Sequence, residues 1–261
     1  MGACVKALRH REAARAAVGA LSMLPLGAAA ADAVHAEPGV AALAKWLPLL
    51  LQGFAVDVGI SVASMAAGTL LGALVGIAQI SLHGWVRTLA RWITQFFRNA
   101  PWLVLLFFCV LLLPNEIRVS GLALPFPAWM KGILGLTLPV MGNVSEVVRG
   151  GIQSLPSAQW EAANALAFNR WQTLRLIILP QAVKRMVPPW MNVYAVLMMA
   201  TPLVSIVGVE DSVTVARSVL AAENSPALLM PVYALLLLLF FAYCAPIARW
   251  TRSLERRFAI A

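Results

Sequence analysis

Long intervals without a charged side chain decide what this chain can become. Twenty-nine residues separate Asp57 from Arg87, 17 separate Arg98 from Glu116, 24 separate Arg185 from Glu210, and 25 separate Glu223 from Arg249. A helix crosses the ~30 Å hydrocarbon layer in about 20 residues. A further apolar stretch runs from about Pro127 to Val148, with Lys131 and Glu146 near its ends. The runs are too long and too evenly apolar for the alternating strands of a barrel, so helices are the expected spanning form. Composition agrees: hydrophobic residues make up 61% of the 261 and charged residues 12%, against about 45–50% and about 25% in a soluble domain. The expected fold is an all-α polytopic membrane protein with five core spans.

A sixth apolar interval, the 16 residues between Arg15 and Asp32, admits two readings. Basic residues Lys6–Arg15, the apolar run and Ala33-Val34-His35-Ala36 resemble a signal peptide with cleavage after Ala36. The same residues also suit a short N-terminal span. We therefore expect residues 1–45 to form a basic segment with a span or signal-like region, and residues 46–261 to form the membrane domain.

The net charge of +9 belongs to topology. Sixteen of the 20 basic residues fall in four segments, 1–15, 81–98, 149–185 and 249–257, which alternate across the spans. The positive-inside rule places these segments and the C-terminus in the cytoplasm. Aromatic–basic interleaving suited to nucleic acid is absent. The three cysteines and three histidines are scattered, so neither a disulfide framework nor a metal site is expected. No Gly-x-x-x-x-Gly-Lys-Ser/Thr loop occurs and no nucleophile–base constellation stands out, so no catalytic residue or cofactor is expected on this chain.

The segment 149–185 is too long for a connector and too apolar for a solvated one. Ser157-Ala-Gln-Trp160-Glu161 follows Pro156 as one helix start. Asn169-Arg-Trp-Gln172 opens a second with a capping-box pattern. Pro180 is expected to end or kink that run, and Pro188-Pro189 to punctuate the entry to the next span. The result is a helix–turn–helix with an apolar surface that needs a cover.

Glu161-Ala162-Ala163 and Ile178-Leu179-Pro180 resemble the EAA loop of ABC-type importer permeases. Glu146-Val-Val-Arg149-Gly150-Gly151-Ile152-Gln153-Ser154-Leu155-Pro156, Arg98-Asn99-Ala100-Pro101-Trp102 and Leu203-Val204-Ser205-Ile206-Val207-Gly208 resemble, more narrowly, the polar amino-acid permease family. The resemblance covers about Leu50 to Arg257. It implies a type I ABC importer-like permease that moves polar amino acids across the bacterial inner membrane. ATP and Mg would be bound by a separate ATP-binding subunit. A periplasmic solute-binding protein, a second permease copy or paralogue and the lipid bilayer would be the other partners.

Within that resemblance Trp160, Glu161, Ala162, Ala163, Leu166 and Ala167 form the coupling set. The family commonly has glycine where this chain has Ala167. A left-handed backbone there would cost alanine roughly 1 kcal/mol or more, and a regular helical turn is the alternative. A charged Lys-Asp pair often found before Thr-Ser-Leu is replaced by Met199-Ala200-Thr201-Pro202-Leu203, where Pro202 can add a kink.

Asn143, Glu146, Arg149, Thr201 and Ser205 are candidates for a polar path or gate. The competing reading makes Glu146–Arg149 a helix-surface ion pair and bonds the hydroxyl and amide groups to helix backbone. Asp57 reads as an interfacial residue at a span end. Gly68, Gly72 and Gly76 line one helix face, suited either to packing within the chain or to a subunit contact. Two other functions remain open from the residues alone: an ion-gradient-driven secondary transporter, and an ABC permease for a small solute other than an amino acid.

Overall fold

A computed structural model describes residues 37–119 and 122–258. The N-terminal span-or-signal segment lies outside the described residues. The chain divides into two compact units, Met1–Lys45 and Trp46–Ala261, and the architecture below is that of the second.

Helix α1 spans Glu37–Ala78, α2 Gly84–Asn99 and α3 Trp102–Leu112. A two-stranded antiparallel hairpin, β1 (Glu116–Val119) and β2 (Leu122–Pro125), leads into α4 (Ala128–Gln153). Helix α5 spans Ser157–Ala165, α6 Arg170–Val207, α7 Ser212–Glu223 and α8 Leu229–Phe258. The all-α expectation holds, with the short hairpin as an addition. Segments Ala42–Ala78, Arg170–Val207 and Pro226–Arg256 are each long and apolar enough to cross a membrane. Helix α4, with 26 residues, is about 39 Å long and carries Lys131, Glu146 and Arg149.

The remaining expected span needs correction. Helix α3 has 11 residues, about 16 Å, which is short of the ~30 Å layer. It forms a broken pair with α2, bent by 101°. Proline disfavours helical backbone at the residue before it, and Ala100, before Pro101, is extended at φ −70°, ψ 138°. The charge-free interval therefore contains a helix break.

Glycine sets the closest packing. A Cβ built on Gly68, Gly72 or Gly76 would lie 2.4, 2.8 or 2.7 Å from Val140, Val144 or Val148 respectively. Backbone carbonyls are equally near, with Met141 O at 2.9 Å from the Gly72 position and Ser145 O at 2.8 Å from the Gly76 position. The glycine stripe of α1 thus receives a valine stripe of α4 within one chain. Leu106, Leu136, Ile178 and Leu197 extend the same core onto α3, α4 and α6.

Buried polar groups pin the helix ends. Gln79 donates to Thr94 at 2.9 Å, and the Thr94 and Ser145 hydroxyls lie 2.8 Å apart, joining α1, α2 and α4. Lys131, only 3% exposed, donates to Leu113 O and Asn115 Oδ1, each at 2.8 Å. A cation there neutralises the carbonyl end of α3.

Asp57, expected at a span end, is fully buried against another helix. Its Oδ2 accepts the Ser212 backbone N–H at 3.2 Å and the Ser212 hydroxyl, capping α7 from a helix 155 residues away. Gly53, one turn earlier, lets α1 approach, since a Cβ there would meet Ser212 Cα at 2.8 Å. Asp211 is the local N-cap and accepts the Thr214 N–H at 2.9 Å. Capping by both residues satisfies free N–H groups of the first turn.

Candidate functional site

The segment joining α4 to α6 is compact. Helix α5 starts after Pro156, which adopts extended backbone, as the Pro156-Ser157 pattern predicts. Its end is a Schellman turn: Phe168 N–H donates to Ala163 O at 3.1 Å and Ala167 N–H to Asn164 O at 2.9 Å. Such a turn needs left-handed backbone at the intervening residue, and Ala167 has φ 58°. Of the two expectations for Ala167, the left-handed one is realised. Ala167→Gly should therefore stabilise the chain by roughly 1 kcal/mol. The check is the thermal midpoint of the detergent-solubilised chain, which should rise; a fall would show that the turn does not strain alanine.

The next helix opens with the expected capping box. Asn169 Oδ1 accepts from Gln172 N, and Gln172 Oε1 accepts from Asn169 N, both at 2.9 Å. Pro180 neither ends nor sharply breaks the run. Residues Thr173–Ile178 instead form a π-helical segment, with Leu179 N–H bonded to Leu174 O. Proline has no N–H for the carbonyl four residues back and its ring crowds that carbonyl. A widened turn accommodates both effects. Pro188 and Pro189 lie inside the same continuous helix. Span and loop helix are thus one element, and the connection proper is α5 with its two flanks.

The structure divides the six coupling candidates by exposure. Ala163 is 1% exposed and faces inward. Glu161, Ala162, Leu166 and Ala167 face outward, with Leu166 at 69% exposure. Trp160 is half-buried, with the Arg170 guanidinium 5.7 Å from its ring centroid. Trp171 and Leu176 add exposed apolar surface nearby. The arrangement is a small knob with an acidic side chain, two alanines and one leucine outward.

A second feature is a cavity of about 460 Å³ between α4 and α6, where Arg98, Asn143, Glu146, Ser154, Arg185 and Asn192 share the lining with Val147, Pro189 and Val193. Glu146 binds Arg149 through both carboxylate oxygens, with Nε at 3.0 Å from Oε2, and Arg98 lies 4.0 Å from Oε1. Arg185 donates to Ser154 O at 2.7 Å, tying α6 to the end of α4. Asn143 donates to Pro139 O at 2.8 Å.

Of the five path candidates, Asn143 and Glu146 line this cavity, and Arg149 holds Glu146 beside it. Thr201 and Ser205 are not among its lining residues. Thr201 bonds Met198 O, and Ser205 bonds Pro202 O, each at 2.8 Å. Pro202 lacks the N–H that would normally serve Met198 O, and Thr201 supplies a donor. The expected disturbance at Pro202 is a change from α- to 3₁₀-helix at Thr201, ending at Gly208 with φ 85°. Arg98, Arg185 and Asn192 escaped notice as cavity residues. Asn192, a polar residue within an apolar span, was the available signal.

Residues 68–260 match the family described as binding-protein-dependent transport system inner membrane component. The Bacillus subtilis protein YckA, described as a probable amino-acid ABC transporter permease, is 31% identical over 212 residues, covering 81% of this chain and 90% of that protein. The Escherichia coli inner membrane amino-acid ABC transporter permease YhdY is 34% identical over 218 residues, covering 82% of this chain and 56% of that longer protein. A crystal structure described as an amino acid ABC transporter with histidines superposes with a TM-score of 0.71 at 22% identity, over 82% of this chain and 96% of its counterpart. That likeness shows a shared fold.

Proposed function

The chain belongs to the family of binding-protein-dependent transport system inner membrane components, and on that premise we propose that it is the membrane-spanning permease subunit of an ATP-driven importer of polar amino acids. It is a multi-pass transport subunit rather than an enzyme. ATP and Mg belong to a separate ATP-binding subunit, and an external solute-binding protein delivers the solute. A second permease copy or paralogue completes the path, because one short bundle does not enclose one.

The observation that carries this reading is the outward knob on α5, built so that its inner side is fixed and its outer side is free. Ala163 anchors it in the core, the Schellman turn closes it, and Glu161, Ala162 and Leu166 remain for a partner. The knob is continuous through α6 with a membrane-crossing segment. Movement imposed on it by a closing ATPase pair is therefore transmitted as displacement of a packed helix, a rigid-body transition. In this reading this end, and the C-terminus, face the cytoplasm, in keeping with the basic segments.

The cavity between α4 and α6 supports the substrate class. It presents guanidinium groups and amide side chains in one place, beside a carboxylate paired with Arg149, and guanidinium and amide donors suit a substrate carboxylate. Competition for uptake in proteoliposomes containing the permease, its ATPase and its binding protein tests the class. Polar amino acids should compete, whereas sugars and apolar amino acids should not. Competition by sugars alone would redirect the assignment to another solute.

A further inference from the structure

A second cavity, of about 650 Å³, opens where the end of α1, the start of α2, the end of α4 and the α5 knob meet. Its lining includes Arg87, Arg91 and Arg170 together with Gln79, Gln153 and Ser157, and no carboxylate lies among the lining residues. Arg170 is held in place by donation to Ile80 O at 2.7 Å and by stacking over Trp160. Arg87 is aligned by Ser81 O at 3.4 Å. Three guanidinium groups without a carboxylate counter-charge in the same concavity call for an anion with several acceptor oxygens.

Helix α2 locates that anion relative to the membrane. Trp85, Leu89, Trp92 and Phe96 recur at helical spacing, and all are more than half exposed. At 100° per residue, Arg87, Arg91 and Arg98 fall on the opposite side. The aromatic stripe belongs in acyl chains, and Leu82 and Trp85, both exposed, stand within two residues of the cavity-lining Ile80 and Arg87. The arginines lie behind that stripe, so an anion reaches them around this end of α2, where headgroup phosphates are the anions at hand.

We propose that this cavity is a binding site for the phosphate headgroup of an acidic phospholipid, held by Arg87, Arg91 and Arg170. Lipid in the site links α2 to Ser157, Trp160 and Arg170 of the knob region. The binding site does not depend on the transported solute, and its test needs no transport.

Native mass spectrometry of the full chain in detergent, titrated with phosphatidylglycerol or phosphatidylethanolamine of matched chains, reads the site directly. Each basic residue near a membrane surface contributes about fivefold to acidic-lipid affinity, so Arg87→Gln/Arg91→Gln should weaken phosphatidylglycerol binding about thirtyfold. Phosphatidylethanolamine binding should change less than twofold. Arg87→Lys/Arg91→Lys should keep most of the selectivity. Rising salt should release phosphatidylglycerol from the wild-type chain, which keeps the test open if the glutamine variant does not fold.

Equal phosphatidylglycerol retention by wild type and the glutamine variant, or a flat salt response, overturns the proposal. Displacement of the lipid by millimolar inorganic phosphate alone would also overturn it and assign a free anion. Loss of ATPase co-purification with unchanged lipid retention would assign the arginines to a protein partner instead.

Discussion

Ala162→Trp should leave the chain folded and reduce ATP-driven uptake at least about tenfold, the loss expected when a central interface contact is blocked. Ala163→Trp should fail earlier, at folding. The two alanines are adjacent, yet the first is exposed and the second is 1% exposed against the core. A bulky side chain at position 162 meets solvent in the isolated chain and would meet the ATP-binding subunit in the proposed complex. At position 163 it must displace its own core, an overpacking cost of about 1–3 kcal/mol or more. Size-exclusion profiles of the detergent-solubilised variants, followed by uptake and coupled ATP hydrolysis after reconstitution, separate the two effects. Normal uptake by Ala162→Trp would remove the knob from the coupling path.

Gly72→Leu should abolish recovery of the folded chain. A Cβ at that position would sit 2.8 Å from Val144 Cβ and 2.9 Å from Met141 O. The second contact is backbone, so no side-chain rotation relieves it, and α1 must move away from α4 along the whole stripe. The expected cost exceeds the roughly 1–3 kcal/mol typical of overpacking. Gly72→Ala should be little rescued by Val144→Ala, which removes Cγ1 at 2.9 Å but keeps Cβ at 2.8 Å and leaves the Met141 carbonyl. Gly59→Ala serves as the control, because a Cβ there meets nothing within 4 Å. The proportion of monodisperse protein after extraction measures each case. Wild-type recovery of Gly72→Leu would mean that α1 and α4 are not in this register.

Much of this architecture could be read from local signals. The charge-free intervals located the long spans, and the capping residues at Pro156 and Asn169 located both starts in the connecting segment. The glycine spacing indicated a close-packed face, although only the structure shows that α4 fills it. The misses share a cause. Counting charges makes Asp57 the boundary of a span and gives Lys131 no role, whereas both are buried and serve as caps for other helices' ends. Their partners, Ser212 and Leu113, carry no local mark of the pairing. The break at Ala100-Pro101 is marked by the proline, three residues after Arg98, but the charge-free interval reads across it as one span. Pro180 and Pro188-Pro189 signalled punctuation, but a π-helical turn and surrounding packing let α6 continue.

For the site, local sequence singled out the knob residues but could not sort inward Ala163 from outward Ala162, since both suit a helix. It also could not gather the cavity. Arg98, Glu146, Arg185 and Asn192 come from three helices far apart in the chain, and the juxtaposition exists only after α2, α4 and α6 have packed.

The most direct trial of the central claim compares two energy sources in one preparation. Proteoliposomes holding the permease, its ATPase and its binding protein would be supplied either with ATP on the ATPase side or with an imposed proton or sodium gradient. The account predicts amino-acid accumulation with ATP only. Accumulation driven by the gradient, with the ATPase left out, would contradict it.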